Sequence, residues 1–506
     1  MTNQSKLGVP KNDGKKLVKD IMIYGVSSIV GRFLNYLLVP LYSYKMPVES
    51  GSYGVVSNMY ALIALLLVIL TYGMETGFFY YANKQKENPK KVFSTILIAV
   101  GVTSLVFVLL CLLNLDSIAH LLEYDAHPEY LGMMMVVVAM DAFMSILFAY
   151  LRYKNRPIKF AGIKLFFIGC NIILNLFFLV WVPYLQPLAP DLFTWYDPQY
   201  LERYVFVANL IATSMQLLFF IPELKGMEYI FDKALFKRIF KYSFPVLILG
   251  VAGVLSQTFD KIIFPLVYPD ADKGYVELGI YGATSKIAMI MGMCTQAFRY
   301  AYEPFVFSKN KEGDGRQTYA EVMKFFLIFT LLGFLGVVFY MDIIRYIIQP
   351  GYWEGLRVVP IVMVTEILIG VFFNLAYWYK LIEQTKWGAY FSIIGCVIII
   401  VLNLLWIPKY SYMGCAWAGV VGYGVMTLLS YIVGQKKNPI PYNLKEIGIY
   451  IGLAFVLYLL GTQIEIENFY LRMLYRTILI LLYVTYVVKK DLPLARIPII
   501  NRFIKK

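Results

Sequence analysis

Charged residues are scarce in this chain of 506 residues: only 15% are Asp, Glu, Lys or Arg, against 59% that are hydrophobic. Soluble domains carry roughly 25% charged and 45–50% apolar residues. This composition therefore argues against a soluble enzyme, a nucleic-acid-binding protein and a disordered scaffold. Apolar runs of roughly 20 residues, long enough to cross a bilayer as helices, recur along the chain instead, and the mean hydropathy is +0.65.

Residues that usually carry chemistry are also few. The chain has only two histidines, His120 and His127, in one short loop, where surface positions are a simpler reading than a metal pair. The five cysteines lie far apart in apolar runs without metal-ligand spacing, so they predict buried, inert thiols, with no disulfide and no metal site. No G-x-x-x-x-G-K-[ST] motif occurs, which excludes an ATPase of this type. We expect no catalytic residues and no enzyme activity.

Fourteen transmembrane helices are predicted from the apolar runs and the charged breaks between them, giving an all-α, polytopic membrane protein. The spans are 17–44, 53–81, 92–114, 130–150, 161–183, 203–223, 242–268, 278–306, 319–345, 358–380, 388–408, 413–434, 446–462 and 470–488.

Basic residues predict the orientation, because cytoplasmic loops of membrane proteins collect Lys and Arg. With the N-terminus in the cytoplasm, 34 of the 46 Lys and Arg residues fall in cytoplasmic segments, which explains the net charge of +14 without nucleic acid. Both termini are therefore predicted to be cytoplasmic. Only seven basic residues fall on the outer side: Lys45, Arg203, Lys273, Arg345, Arg357, Lys409 and Arg472.

An internal repeat predicts two similar halves. At an offset of 228 residues, Tyr72, Glu75 and Phe79 align with Tyr300, Glu303 and Phe307, and two further matches have offsets of 225 and 226. A repeat of six spans gives parallel halves related by an axis along the membrane normal. The predicted divisions are a cytoplasmic tail (1–16), an N-lobe (17–224), a cytoplasmic linker (225–241), a C-lobe (242–434), an appended helix pair (445–488) and a basic cytoplasmic tail (489–506).

Small residues and prolines mark places where the helices depart from simple rods. Gly414, Ala418 and Gly422 are spaced to form one small helix face that would allow close packing. Four prolines interrupt spans in the two repeated hairpins. Either static kinks or elements that change shape would explain them. The prolines are Pro40, Pro245, Pro265 and Pro304.

Charged residues inside the spans are the candidate functional groups, because such residues face a bundle interior, a partner or a water-filled cavity. Four cations, Arg32, Lys261, Lys286 and Arg299, could line a central cavity and bind an anionic substrate. Pairing is the alternative: Arg299 and Glu303 share a helix face, and Asp260 could neutralise Lys286. Arg476 is expected to be structural or to reach the membrane surface by snorkelling.

The intramembrane acids have more than one reading. Glu75 and Glu303 match across the repeat near the inner membrane face, where they could act as gates, loop anchors or proton sites. Asp141 and Glu366 fall in equivalent spans and could couple transport to Na⁺ or H⁺. Asp260 is another candidate for a gate or an ion-coupling site. No other cofactor is expected.

Several motifs together resemble a known family. Around spans 7 and 8 these are Asp260-Lys261, 279–281, 285–288 and 297–304; around spans 11 and 12 they are 402–404, Ile407-Pro408 and 414–416; in the first half they are 32–42 and Tyr53-Gly54. These motifs resemble those of Wzx-type polysaccharide flippases of the multidrug/oligosaccharidyl-lipid/polysaccharide exporter superfamily. The chain departs from the pattern at Lys261, where an Arg is common.

The resemblance implies two six-helix lobes around a V-shaped cavity that opens alternately to either side. The implied cargo is an undecaprenyl-pyrophosphate-linked oligosaccharide, with its pyrophosphate on the cavity cations and its lipid tail in the bilayer. The implied location is the bacterial cytoplasmic membrane, as a multi-pass protein. The expected partners are membrane lipids and a polymerase and glycosyltransferases of the same pathway. No nucleic acid is expected.

Three alternatives remain open from the sequence. A cation-coupled multidrug exporter would have the same fold. Its cavity should favour acidic residues over basic ones, whereas four of the membrane cations lie in the repeated hairpins. A membrane-embedded polymerase or glycosyltransferase generally needs a large external loop, and the largest loop here spans only 184–202. A scaffold without transport activity would not need the intramembrane charges.

Overall fold

A computed structural model describes residues 34, 36–83, 87–309 and 315–491, with the side chains of 300–309 left undescribed. These residues form helices and connecting loops, and no β-strand occurs among them. Arg32, most of the first predicted span and nearly all of both predicted tails lie outside the described residues, as does the side chain of Glu303.

The helices are numbered α1 to α19 in chain order. The first ten are α1 (Leu38–Lys45), α2 (Ser52–Thr71), α3 (Met74–Ala82), α4 (Pro89–Leu113), α5 (Leu115–Leu121), α6 (Pro128–Tyr153), α7 (Pro157–Leu176), α8 (Val182–Leu185), α9 (Leu201–Leu218) and α10 (Ile221–Lys225). A π-helical turn, Phe177–Trp181, joins α7 to α8.

The other nine are α11 (Lys233–Val267), α12 (Ala271–Lys309), α13 (Arg316–Phe339), α14 (Met341–Ile344), α15 (Val359–Leu375), α16 (Tyr377–Leu381), α17 (Lys386–Lys437), α18 (Leu444–Gln463) and α19 (Phe469–Lys490). Short 3₁₀ helices at Val48–Ser50, Pro190–Phe193, Arg345–Ile347 and Pro350–Val358 complete the structure.

Ten helical segments among the described residues are long and apolar enough to cross a membrane. One of them, α17, contains a break at Ser411, whose φ of 51° and ψ of −142° are not helical. The break separates predicted spans 11 and 12. The two shorter or more polar helices α9 and α12 coincide with predicted spans 6 and 8, so spans 2 to 14 each have a helix. The total of fourteen stays a prediction because span 1 is largely undescribed.

Lipid-facing surfaces are visible on the long helices. The outward face of α4 exposes a continuous row of aliphatic side chains, whereas residues 92–97 near its start are buried. A soluble protein would rarely expose so large an apolar patch, so this face fits contact with hydrocarbon. The chain is a multi-pass membrane protein. The exposed row comprises Val102, Leu105, Val106, Leu109, Leu110 and Leu113.

Polar side chains define where several helices begin. The carboxylate of Asp232 accepts the backbone N–H of Leu235 at 2.9 Å and caps α11. The Lys91 ammonium lies 2.7 Å from the same carboxylate, and together with the backbone N–H it lowers the Asp232 pKa to about 2. Because Asp232 caps it, α11 begins at Lys233, inside the segment predicted as a linker.

The described residues divide into two compact units, one ending at Gly279 and the other beginning at Ile280. In the first unit, α6 is the central helix, and it packs against α2, α3, α4, α7 and α9. Within its apolar part, 67% of residues are buried, as expected of a helix that is hydrophobic all round. Helix α11 packs against α2 and α3 in this unit. The two six-helix lobes remain a prediction.

In the second unit, α13 packs against α15 and against the hairpin of α18 and α19. The two halves of α17 approach closely, because a Cβ atom on Gly422 would lie 2.2 Å from Ile399 and one on Gly395 would lie 2.1 Å from Met426. Ala418, which lies one turn before Gly422 on the small-residue face, is fully buried. The predicted close packing on this face is confirmed.

Ion pairs fix both ends of the hairpin formed by α18 and α19, one end to α13 and the other to α14. At one end, Lys324 lies 2.6 Å from Asp491 and 3.3 Å from Glu446. At the other, Asp342 lies 2.8 Å from both Arg472 and Arg476. Of the two roles expected of Arg476, the ion pair with Asp342 fits the structural one.

A first prediction concerns the contact between α2 and the start of α12. A Cβ on Gly54 would lie 1.9 Å from the Tyr275 carbonyl oxygen, whereas nothing lies within 4 Å of a Cβ on Gly253 in α11. We expect Gly54→Ala to lower the free energy of unfolding by about 1–3 kcal/mol and the control Gly253→Ala to raise it by up to about 1 kcal/mol. Thermal unfolding in detergent measures both, and equal stability of the two variants would contradict the packing.

A second prediction concerns the appended hairpin. Asp342→Ala leaves Arg472 and Arg476 without their shared carboxylate, and we expect a loss of roughly 2 kcal/mol, since the groups are mostly but not fully buried. The control is Glu354→Ala, whose 68%-exposed carboxylate lies 3.5 Å from Arg357 and should contribute about 0–1 kcal/mol. The same unfolding experiment compares them; a loss no larger for Asp342→Ala than for the control would refute the role of this ion-pair cluster.

Candidate functional site

The predicted cation Lys261 lies on α11 beside an acid. Its ammonium lies 2.9 Å from the Asp260 carboxylate and 3.3 Å from the Gln257 carbonyl oxygen. Asp260 is buried and Lys261 is about a quarter exposed. The ion pair therefore lies about one helical turn before Pro265 in α11. The structure gives Asp260 a partner in its neighbour Lys261.

Glu75 lies near the start of α3 and pairs with Arg152 from the last turn of α6. The Arg152 guanidinium also lies 5.1 Å from the Phe79 ring centroid. This contact ties α3 to α6. The roles of gate, loop anchor and proton site stay predictions for Glu75. Arg152 falls in the loop between predicted spans 4 and 5, and nothing in the sequence pairs it with an acid 77 positions away.

The interior of the first unit is polar around Asp141, in the middle of α6. Asp141 interacts electrostatically with Lys164 of α7 and with Tyr60 of α2. The Asn209 amide donates to the Tyr60 hydroxyl at 2.8 Å. Lys164 was missed in the sequence because it lies near the end of a span, where a lysine is expected to reach the membrane surface. Asp141 therefore has polar neighbours on both α2 and α7.

In the second unit, α12 and α15 face each other with polar residues. The Glu366 carboxylate packs on the α12 backbone, since a Cβ on Gly292 would lie 2.8 Å from its Oε2 atom. Three residues further along α12, the Thr295 hydroxyl is buried without a hydrogen-bond partner among the described residues. A polar strip thus runs along this interface from Glu366 towards the inner end predicted for α15.

The strip ends in a small cleft of about 20 Å³, with room for about one water molecule, and this cleft contains Arg299. The Arg299 guanidinium lies 4.9 Å from the centroid of the Phe373 ring, and Lys380 supplies a second positive charge to the cleft wall. Two cations with hydroxyl and amide groups nearby are suited to an anionic oxygen-rich ligand. The lining residues are Thr295, Phe298, Arg299, Phe326, Gly370, Phe373, Asn374, Tyr377 and Lys380.

Lys286, the remaining predicted cation with a described side chain, is half-buried on α12. It follows Thr284 and Ser285, which are both buried, and the Ser285 hydroxyl has no hydrogen-bond partner within the described part of the chain. Of the predicted site residues, the structure therefore pairs Lys261 with Asp260, pairs Glu75 with Arg152 and places Arg299 in a cleft. Lys380 is a cation of this cleft that the sequence did not single out.

These features define a helical membrane protein with charged and polar groups in its interior, and comparison with known proteins gives its family. A family model described as "Polysaccharide biosynthesis protein" matches residues 17–298. The chain belongs to this family. No curated protein sequence matches it significantly.

Solved structures show the same fold at low sequence identity. The chain is similar to "Lipid II flippase MurJ, inward closed conformation", with a TM-score of 0.71 and 16% identity over 92% of this chain and 99% of that one. It is also similar to a multidrug resistance MATE family transporter of the MOP superfamily, inward-facing, with a TM-score of 0.59 and 13% identity over 80% and 93%. For the MATE multidrug transporter DinF-BH the TM-score is 0.57 and the sequence identity is 16%, over 87% of this chain and 99% of that one. The fold is thus that of MurJ and the MATE transporters.

A third prediction tests whether water reaches the cleft. With the five native cysteines replaced by serine, we expect Asn374→Cys to react with a water-soluble maleimide, because Asn374 lines the cleft and is partly exposed. Thr330→Cys is the control, since Thr330 is fully buried on α13. The extent of labelling is read by mass. Protection of position 374 to the level of position 330 would show that the cleft is closed to water.

Proposed function

We propose that this protein is a flippase that moves an undecaprenyl-pyrophosphate-linked oligosaccharide from the cytoplasmic to the outer leaflet of the bacterial cytoplasmic membrane. Transport proceeds by alternating access and serves surface polysaccharide biosynthesis. The observation that carries the proposal is the membership of the polysaccharide biosynthesis family, together with the fold shared with a lipid II flippase. The Wzx-type subtype is the one that the motifs resemble.

The cleft of the second unit supports an anionic head group. Arg299 and Lys380 are half-buried cations in a setting with Asn374, Tyr377 and Thr295. Arginine presents a planar fork that matches phosphate oxygens, and lysine presents a point charge. We propose that Arg299 and Lys380 bind the head group in this cleft. The other cations predicted from the sequence, Lys286, Lys261 and Arg32, are also proposed as substrate-binding residues.

The membrane potential could supply the driving force for such a substrate. Moving one elementary charge across the membrane is worth about 2.3 kcal/mol per 100 mV. A pyrophosphate diester with two negative charges therefore gains about 4–5 kcal/mol when it moves outward from a negative interior. Coupling to Na⁺ or H⁺ is the second proposal, with Asp141 and Glu366 as the candidate acids, because both lie at polar positions inside the units.

A cation-coupled multidrug exporter is the competing function, and the MATE transporters among the structural neighbours favour it. The cations of the cleft favour the flippase, since a site lined by Arg299 and Lys380 attracts anions rather than cationic drugs. The drug resistance and the surface polysaccharide of a deletion strain separate the two functions. The flippase predicts loss of surface polysaccharide with unchanged drug resistance, and the exporter predicts the reverse.

A fourth prediction tests the proposed substrate cations. In the deletion strain complemented with Arg32→Ala, Lys286→Ala or Arg299→Ala, we expect surface polysaccharide to fall at least about tenfold, because each variant loses a charge-assisted hydrogen bond to the head group. Lys286→Arg should restore most of it.

The matched control for this prediction is Lys273→Ala, which removes a 75%-exposed lysine paired with Asp270. It should leave the polysaccharide unchanged. Immunoblotting of membranes confirms equal protein levels. Normal polysaccharide in all three cation variants would reject the proposed site.

A further inference from the structure

Pro265 opens the backbone of α11 at a defined carbonyl group. In an α-helix the N–H of residue 265 would donate to the carbonyl oxygen of Lys261, four residues earlier. Proline has no N–H, and its ring also crowds that carbonyl. The helix nevertheless continues through Pro265 to Val267. The Lys261 carbonyl therefore needs a donor from elsewhere, since membrane-embedded backbone groups cannot rely on bulk water.

Asn58 of α2 supplies this donor. Its side-chain nitrogen lies 2.7 Å from the Lys261 carbonyl oxygen and 3.1 Å from that of Ile262. The Asn58 side chain is buried, so this hydrogen bond is shielded from competition by water. The amide oxygen accepts a hydrogen bond from the Tyr124 hydroxyl at 2.8 Å. Both ends of the amide are thus held, and the NH₂ group faces the opened carbonyl.

The residue that owns this carbonyl also carries the proposed cation. The Lys261 ammonium and the Asp260 carboxylate pair at 2.9 Å within the same turn of α11. Any shift of this turn moves both charges. A contact that fixes the Lys261 carbonyl group to α2 therefore also fixes the position of the ion pair.

We propose that Asn58 is a positioning residue for the Asp260–Lys261 pair: its side-chain amide replaces the N–H that Pro265 lacks and fixes this turn of α11 against α2. Tyr124 orients the amide. The consequence for transport rests on the proposed function, because it requires Lys261 to serve substrate movement. The structural part of the proposal does not depend on the substrate.

A double-mutant cycle in the full-length protein tests the structural part. Pro265→Ala restores the backbone N–H, so the Lys261 carbonyl no longer needs Asn58. We expect Asn58→Ala to lower the unfolding temperature in detergent by about 2 °C or more in the native background. In the Pro265→Ala background, Asn58→Ala should lower the unfolding temperature by less than half as much. The cavity that Asn58→Ala leaves is present in both backgrounds, so it cancels in this comparison. Equal effects in the two backgrounds would overturn the proposal.

The same helix provides two matched controls. Pro245 also lies inside α11, but its replacement by alanine leaves the Lys261 carbonyl open, so Asn58→Ala should keep its full effect in that background. Ser256 donates to the Ala252 carbonyl at 2.8 Å, and that carbonyl can also accept the N–H of residue 256. The effect of Ser256→Ala should be small and the same with or without Pro265. A Pro245→Ala background that abolished the Asn58 effect would also count against the proposal.

Labelling at position 261 tests positioning directly. In the cysteine-free protein, Lys261→Cys reports the exposure of this turn, and we expect Asn58→Ala to change its maleimide reaction rate at least threefold. Lys273→Cys, at the exposed start of α12, should react at the same rate with and without Asn58→Ala. An unchanged rate at position 261 would limit Asn58 to a structural role and refute positioning.

Surface polysaccharide links the result to transport. Asn58→Ala retains every proposed cation, and we expect it to reduce polysaccharide at least threefold at equal membrane levels. Normal polysaccharide in Asn58→Ala, when Lys261→Ala abolishes it, would contradict the role in transport. If Lys261→Ala and the other cation variants all leave polysaccharide normal, the proposed function fails, while the unfolding cycle and the labelling rates still decide whether Asn58 positions the turn.

Discussion

A charge inside a membrane protein needs a partner, because neither lipid nor bulk water will stabilise it there. The structure meets this constraint repeatedly with short-range pairs. Lys261 has Asp260 in the same helix, Arg152 has Glu75 across two helices, and Arg476 has Asp342 at one end of the appended hairpin. The same constraint applies to the backbone, and Asn58 satisfies it at the carbonyl that Pro265 leaves open. Each pair also joins particular helices, so the charges help to determine which helices pack together.

The spans could be predicted from the sequence because the thickness of the bilayer fixes the length of an apolar helix. Helices occur at predicted spans 2 to 14, and the break between spans 11 and 12 falls at Ser411. Helix α2 ends at Thr71 and α3 begins at Met74, with left-handed backbone at Tyr72 and Gly73 between them. The repeat pairs Tyr72 with Tyr300, yet α12 continues through that position, so the two copies differ in local structure. That difference depends on tertiary packing, such as Gly73 against the Ser243 carbonyl oxygen.

The candidate site was only partly predictable for the same reason. The sequence identifies Lys261, Arg299 and Glu366 as unusual because a charge within a long apolar run is easy to recognise. It could not identify Lys380 or Lys164, since each lies near the end of a span, where a lysine is ordinary. The partner of Glu75 could not be predicted either, because Arg152 is distant in sequence. Asn58 did leave a signal: a polar residue in α2 and a proline four residues after a charged one, but only the fold brings them together.

The most direct measurement is translocation by the purified protein in liposomes. An undecaprenyl-pyrophosphate-linked oligosaccharide with a fluorescent sugar is placed in one leaflet, and a membrane-impermeant quencher reports its arrival in the other. The account predicts translocation above that of protein-free liposomes, faster when the membrane potential favours movement of the anion and slower in Arg299→Ala. Translocation at the protein-free rate, with correctly folded protein in the liposomes, would contradict the account.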